Sequence, residues 1–195
     1  MTEKSTTKYK QKWITVLYEA ADHKPIIMVL LHHHNQDNIA NAGYLKMDYD
    51  VYSNTWIIKD IEIDRKFRGQ NYGAAMILRA LKKVYTLRNE HTINGVSGQI
   101  AAIYTDRTTC KGLDAYRKIR GFYERLGFYF ESDMIFKKVV NCDSLLEWCH
   151  TIEAVIENKD LRFDLAISRQ LLDSLEVDIN KLKSHWLGRH LIKHR

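Results

Sequence analysis

One proline in 195 residues, three cysteines and nine glycines leave little material for a loop-built or cross-linked protein. Such sparse proline argues against a proline-rich arm, and a 45% share of hydrophobic residues suffices for a core, so disorder is not expected. Cys110, Cys142 and Cys149 are odd in number, match no zinc spacing and point to reduced thiols instead of a disulfide framework. No apolar run approaches the roughly 20 residues that cross a bilayer, and Met1–Ser5 shows no hydrophobic signal core. The expected location is the cytoplasm, with no membrane contact. Internal repeats and low-complexity segments are absent as well.

What is present is a formal net charge of +6, which favours anionic ligands in general, and one informative stretch from Ile61 to Leu78. Trp56, Ile57, Ile58, Ile61 and Ile63 form a β-rich apolar run, whereas Gly73, Ile77, Ala80, Leu81 and Val84 repeat at helical spacing. Between them lie Arg65, Lys66, Arg68 and Gly69. A strand that gives way to glycines where a helix begins leaves backbone N–H groups at a positive dipole end, a natural cradle for phosphate. Two familiar phosphate loops do not fit. No Lys-Ser/Thr follows Gly73, and a dinucleotide fingerprint would need glycine at Asn71 and Met76.

About fifty residues on stands Gly121-Phe122-Tyr123-Glu124-Arg125-Leu126-Gly127-Phe128. The first segment, Arg68-Gly69-Gln70-Asn71-Tyr72-Gly73-Ala74, resembles Arg-x-x-Gly-x-Gly/Ala, the acyl-CoA pyrophosphate loop of the GNAT superfamily of N-acyltransferases. The second resembles that family's Phe-Tyr-Glu-x-x-Gly-Phe helix end beside the CoA thiol. Asn71 stands where the family has its first glycine, and Asn tolerates left-handed backbone angles. Tyr116 stands near the place of the family's usual asparagine. The resemblance covers roughly residues 10 to 140. It implies acetyl-CoA as co-substrate, no metal, pyrophosphate on the backbone of Arg68, Gly69, Gln70, Asn71, Tyr72, Gly73 and Ala74, and Tyr123 as donor to the leaving thiolate. The strand edge at Ile61 and Ile63 is suited to pair with the amides of the pantetheine arm.

The chain reads as strands over Trp13–Glu19, Pro25–His33, Ala42–Asp50 and Thr55–Ile63, then a helix to about Arg88. A strand near Ile93–Ile100, a basic loop, a helix from about Asp114 to Leu126 and a last strand over Phe128–Val140 come next. The expected fold is α/β, a GNAT-like mixed and mostly antiparallel sheet flanked by helices. Residues 1–140 are assigned to the acyl-CoA-binding domain and 141–195 to a helical appendage. In the latter, Leu145, Trp148, Cys149, Ile152, Val155 and Ile156 make an apolar stripe, and further helical patterns run around Ser168–Leu175 and Ile179–Leu191. Residues 141 to 180 carry nine acids against three bases, whereas 181 to 195 carry five bases and no acid. Such an appendage suits a cap on the sheet or a homodimer contact. A nucleic-acid contact through Lys181, Lys183, Arg189, Lys193 and Arg195 is the less favoured use.

Acyl transfer to an amine also needs a base. Strand alternation sets Asp60 and Glu62 on one face and Lys59, Ile61 and Ile63 on the other, and Glu62 is the preferred base. The run His32-His33-His34 offers at most two convergent ligands on a strand and is not read as a metal site. The expected function is acyl-CoA-dependent N-acyltransfer, by direct attack, to a primary amine whose class the motifs do not name. A non-catalytic CoA-binding or protein-interaction module and a nucleic-acid-binding or nucleic-acid-modifying relative are the alternatives.

Overall fold

The computed structural model describes residues 2–21, 24–33, 41–101 and 109–192. Eight strands, β1 (Thr2–Tyr9), β2 (Lys12–Ala21), β3 (Lys24–His32), β4 (Asn41–Asp50), β5 (Thr55–Ile63), β6 (Gly95–Gln99), β7 (Tyr129–Phe130) and β8 (Ile135–Val139), form one sheet. Their order is β1-β2-β3-β4-β5-β6-β8-β7. Every neighbouring pair is antiparallel except β5 and β6, which run parallel. Among the described residues three α-helices, α1 (Tyr72–Thr86), α2 (Cys110–Arg125) and α3 (Cys142–Ile192), accompany it. The mixed, mostly antiparallel sheet with flanking helices and a C-terminal helix is the architecture expected from the sequence.

Period-two burial explains the central strands. Ile14, Val16 and Tyr18 of β2, Ile27, Val29 and Leu31 of β3, and Leu45, Met47 and Tyr49 of β4 are all buried, and their neighbours in sequence are mostly half-buried. Helix α1 covers this face with Ile77, Ala80, Leu81 and Val84, each at 0% exposure, the helical repeat that the sequence shows. Each such large apolar side chain withdrawn from water contributes about 1.5–3 kcal/mol.

Two parts of the sheet differ from the sequence expectation. Strand β1 is polar on both faces, so no alternation marks it. Its hydrogen bonds to β2, in register from Thr2 opposite Glu19 to Tyr9 opposite Lys12, recruit it as an edge. The expected last strand is broken into β7 and β8, because Ser132 accepts the backbone N–H groups of Met134 and Ile135 and turns the chain.

One irregularity interrupts the pairing of β4 with β5. Lys46 pairs with Asp60 while the next residue, Met47, pairs with Ile58, so Lys59 is an extra residue bulged out of β5. Trp56 and Ile58 are buried before it, and Ile61 and Ile63 return to that same side after it, packed against the core. Asp60 lies opposite Lys46 and Glu62 opposite Tyr44 on the other side.

The chain forms two compact units, Met1–Ile156 and Glu157–Arg195. The first takes in the start of α3, where Leu145, Cys149 and Ile152 reach 0% exposure and Trp148 donates from Nε1 to the Leu126 carbonyl at 2.6 Å. The second is helical through Ile192, without the break between the two helical patterns read from the sequence. No helix among the described residues is long and apolar enough to cross a membrane.

Candidate functional site

The corner after β5 is built from local chemistry. Asp64 accepts the Lys66 N–H and starts a short 3₁₀ turn over Arg65–Phe67. Arg68 then reaches back, donating from Nε to the Ile63 carbonyl at 2.8 Å. Gly69 and Asn71 hold positive φ of 82° and 67°, so Asn71 takes the left-handed angle that a glycine would take. It also does something glycine could not: its Nδ2 donates to the Ile156 carbonyl at 3.3 Å. The first intrahelical bond runs from the Ala75 N–H to the Asn71 carbonyl, so the amides of Gly73 and Ala74 precede the helical ladder.

Arg65, Lys66, Arg68, Gly69 and Gln70 are all exposed, and Lys10 from the β1–β2 turn donates to the Gln70 carbonyl at 3.4 Å. Positive side chains therefore surround a helix N-terminus, a favourable setting for an anion. A Cβ on Gly69 would meet nothing within 4 Å, so the turn is open. Gly73 is different. A Cβ there would come within 3.1 Å of Ile63 Cδ1 and 3.3 Å of Phe122 Cζ, so its bare Cα lets β5, α1 and α2 close on one another. Tyr72 and Ala74 are buried beside it.

Strand β5 has a second property here. It pairs with β6 only from Thr55 to Ile58, opposite Gly95 to Gly98; among the described residues no strand pairs with its remaining length on that side, where the Ile63 carbonyl accepts from Arg68 Nε. The Asp64 N–H bonds the Ala42 carbonyl of β4, so alternation turns the backbone groups of Ile63 and Ile61 away from β4, to the free edge. A cleft of about 280 Å³ opens where β5 and β6 part, lined by Ile58, Lys59, Ser97, Gly98, Gln99 and Ile135 among others.

Tyr123 lies at the end of α2. It is 4% exposed and stacks on Phe136 with ring centroids 3.8 Å apart. Its hydroxyl makes no hydrogen bond to the described residues, although the ring is enclosed. Burial, and then the charge of Asp60, raise its pKa from 10.0, so the side chain stays a phenol throughout the neutral range. Asp60 in turn accepts a hydrogen bond from the Tyr44 hydroxyl. Gly98 fixes this arrangement, since a Cβ there would fall 2.4 Å from Phe136 Cζ. Tyr44, Asp60, Gly98 and Phe136 belong to no motif that would mark them as site residues in the sequence. Asp60 and Glu62 share a face, as strand alternation requires, but only the cross-strand hydrogen bond and the Asp60–Tyr123 interaction distinguish them.

Glu62 is exposed on β5, opposite Tyr44. Tyr116, near the family's asparagine, is buried; its hydroxyl donates to the Asp133 carbonyl at 2.7 Å and accepts from Arg120. His32 shares a hydrogen bond with Thr15 at 2.8 Å and His33 with Lys12 at 2.9 Å, while His34 lies outside the described residues. Among the described residues no group of three or more His, Cys, Asp or Glu could hold a metal ion. Of the basic tail, Lys181 lies 3.8 Å from Asp178, and the side chains of Arg189, Lys193 and Arg195 lie outside the described part of the molecule.

No protein-family model matches the chain, and no curated protein does. Solved structures do share similarity with it. AtaTR bound with acetyl-CoA is 18% identical over 62% of this chain and 70% of its own, with a TM-score of 0.47. The KacTA–DNA complex is 15% identical over 63% and 71%, at 0.44. An acetyltransferase of the GNAT family from Staphylococcus aureus is 14% identical over 58% and 67%, at 0.42. On its two motifs, and on the sheet and helices that carry them, the chain resembles the GNAT superfamily of acyl-CoA N-acyltransferases.

Proposed function

We propose that the chain is an acyl-CoA-dependent N-acyltransferase, with acetyl-CoA as co-substrate, acting on a primary amine by direct attack. One observation carries this reading: β5 ends beside a free backbone edge, a positively charged helix start with left-handed angles at Gly69 and Asn71, and a buried phenol. Each suits one part of a long anionic thioester. The amides from Gly69 to Ala74 hold the pyrophosphate, with Lys10, Lys66 and Arg68 adding charge. Backbone groups of Ile61 and Ile63 pair with the amides of the pantetheine arm.

The chemistry follows from the residues. The amine nitrogen bonds to the thioester carbonyl carbon, the C–S bond breaks, and one proton moves in net from nitrogen to sulfur. Glu62 takes the amine proton, directly or through water. Tyr123 is a weaker acid than a thiol of pKa about 8.5. It therefore acts by donating a hydrogen bond to the developing thiolate, and the final proton reaches sulfur afterwards.

The test is a pair of measurements on the same protein. Acetyl-CoA and CoA raise the melting temperature, dephospho-CoA does so less, and Gln70→Glu, which adds a carboxylate to the open turn, weakens the shift. Thiol release with candidate amines then falls about a hundredfold in Tyr123→Phe, with cofactor stabilisation retained. Stabilisation without thiol release for any amine class leaves a CoA-binding module. Absence of any melting shift at millimolar cofactor ends the acyltransferase reading.

A further inference from the structure

The second unit exposes a stripe of large apolar side chains. Leu161, Leu165, Leu172, Leu175, Ile179 and Leu182 are 49–70% exposed, on a helix with no break from Cys142 to Ile192. Their spacing alternates four and three residues, with Ser168 completing the series, so they occupy the a and d positions of three heptads. A 3.5-residue repeat of this kind gives a narrow seam that a second helix covers by knobs-into-holes packing.

The flanking charges say which helix fits. The a positions are Asn158, Leu165, Leu172 and Ile179, preceded by Glu157, Asp164, Leu171 and Asp178, and the d positions are Leu161, Ser168, Leu175 and Leu182, followed by Arg162, Arg169, Glu176 and Lys183. In a parallel, in-register pair each preceding position meets the position five residues on in the other helix. That sets Glu157 against Arg162, Asp164 against Arg169 and Asp178 against Lys183, all of opposite sign. In an antiparallel pair the acidic edge would face itself and the basic edge would face itself. Asp178 also lies 3.8 Å from Lys181 of its own helix.

We propose that this helix pairs with the same segment of a second copy of the chain, as a parallel, in-register, two-stranded coiled coil through Leu161, Leu165, Leu172, Leu175, Ile179 and Leu182. The proposal stands independently of the acyl-transfer reading.

Sedimentation equilibrium of the full chain at tens of micromolar is expected to give twice the mass of one chain. A chain that stays monomeric there, its stripe left bare or covered by some other surface, overturns the proposal. Orientation is read by cross-linking in a Cys110→Ser/Cys142→Ser background. Leu161→Cys is expected to disulfide-link to itself, as is Ile179→Cys, whereas a mixture linking position 161 to 179 instead would show an antiparallel pair and overturn the assignment. Charge exchange gives a third reading without touching the seam. Arg162→Glu/Arg169→Glu/Lys183→Glu alone becomes monomeric, and dimers return on mixing with Glu157→Lys/Asp164→Lys/Asp178→Lys; dimers indifferent to both sets overturn the pairing.

Discussion

Two stretches of one helix, Cys142–Ile156 and Glu157 onward, are both rich in large apolar side chains and meet opposite surroundings. In the first, Leu145, Trp148, Cys149, Ile152 and Ile156 are 0–6% exposed. In the second, Leu161 through Leu182 are 41–70% exposed at their large apolar positions. The spacing differs in a way that matches. The first adds Trp148 and Val155 beside Leu145, Cys149, Ile152 and Ile156, which widens its apolar stripe into a broad face suited to a globular core. The second keeps a heptad seam interrupted at Ser168, with Phe163, Ile167, Leu171 and Val177 exposed outside it, and such a seam suits another rod. Apolar content alone would have treated the two alike.

Substitutions can break this comparison or sharpen it. The largest effect is expected from Leu145→Ala, which empties a fully buried site and costs about 3 kcal/mol in denaturant unfolding. Next comes alkaline pH. Burial pushes the Cys149 thiol from 9.0 up to about 11. A pKa raised by folding gives stability that is complete below pH 9 and lost as the pH climbs toward 11, because the unfolded thiol ionises first. The loss amounts to about 2–3 kcal/mol, and Cys149→Ala should flatten that part of the profile. Trp148→Phe keeps most of the ring but strands the Leu126 carbonyl, which accepts from its Nε1, at a cost of about 1–2 kcal/mol. Smallest is Leu172→Ala. Its side chain is 64% exposed, so unfolding of the first unit should move by less than about 0.5 kcal/mol when measured at high dilution. A large effect of Leu172→Ala under those conditions would erase the distinction between the two stretches.

The central strands were legible because alternation in β2, β3 and β4 is what burial on one face demands, and α1 because its 3.6-residue repeat has no competing pattern. Strand β1 was not legible, since Thr2–Tyr9 gains its place from backbone pairing and no side-chain pattern records that. The turn chemistry around Asn71 could be read locally, down to its left-handed angle. Its bond to Ile156 could not, because that partner is 85 residues away. The same holds for Gly73, whose close neighbours include Phe122 of α2, and for the charge of Asp60 acting on Tyr123. Local rules describe what a residue can do; only the assembled sheet decides what it meets.

The bulge at Lys59 sets the parity of β5. With strict alternation continued from Trp56 and Ile58, Asp60 and Glu62 would point into the core and Ile61 and Ile63 out of it. Two carboxylates would then sit where two isoleucines now pack. Deleting Lys59 therefore removes the bulge and leaves Asp60, Ile61, Glu62 and Ile63 on their present faces, whereas one further residue inserted between Ile58 and Asp60, or flattening of the bulge with Lys59 retained, inverts the whole downstream half of the strand.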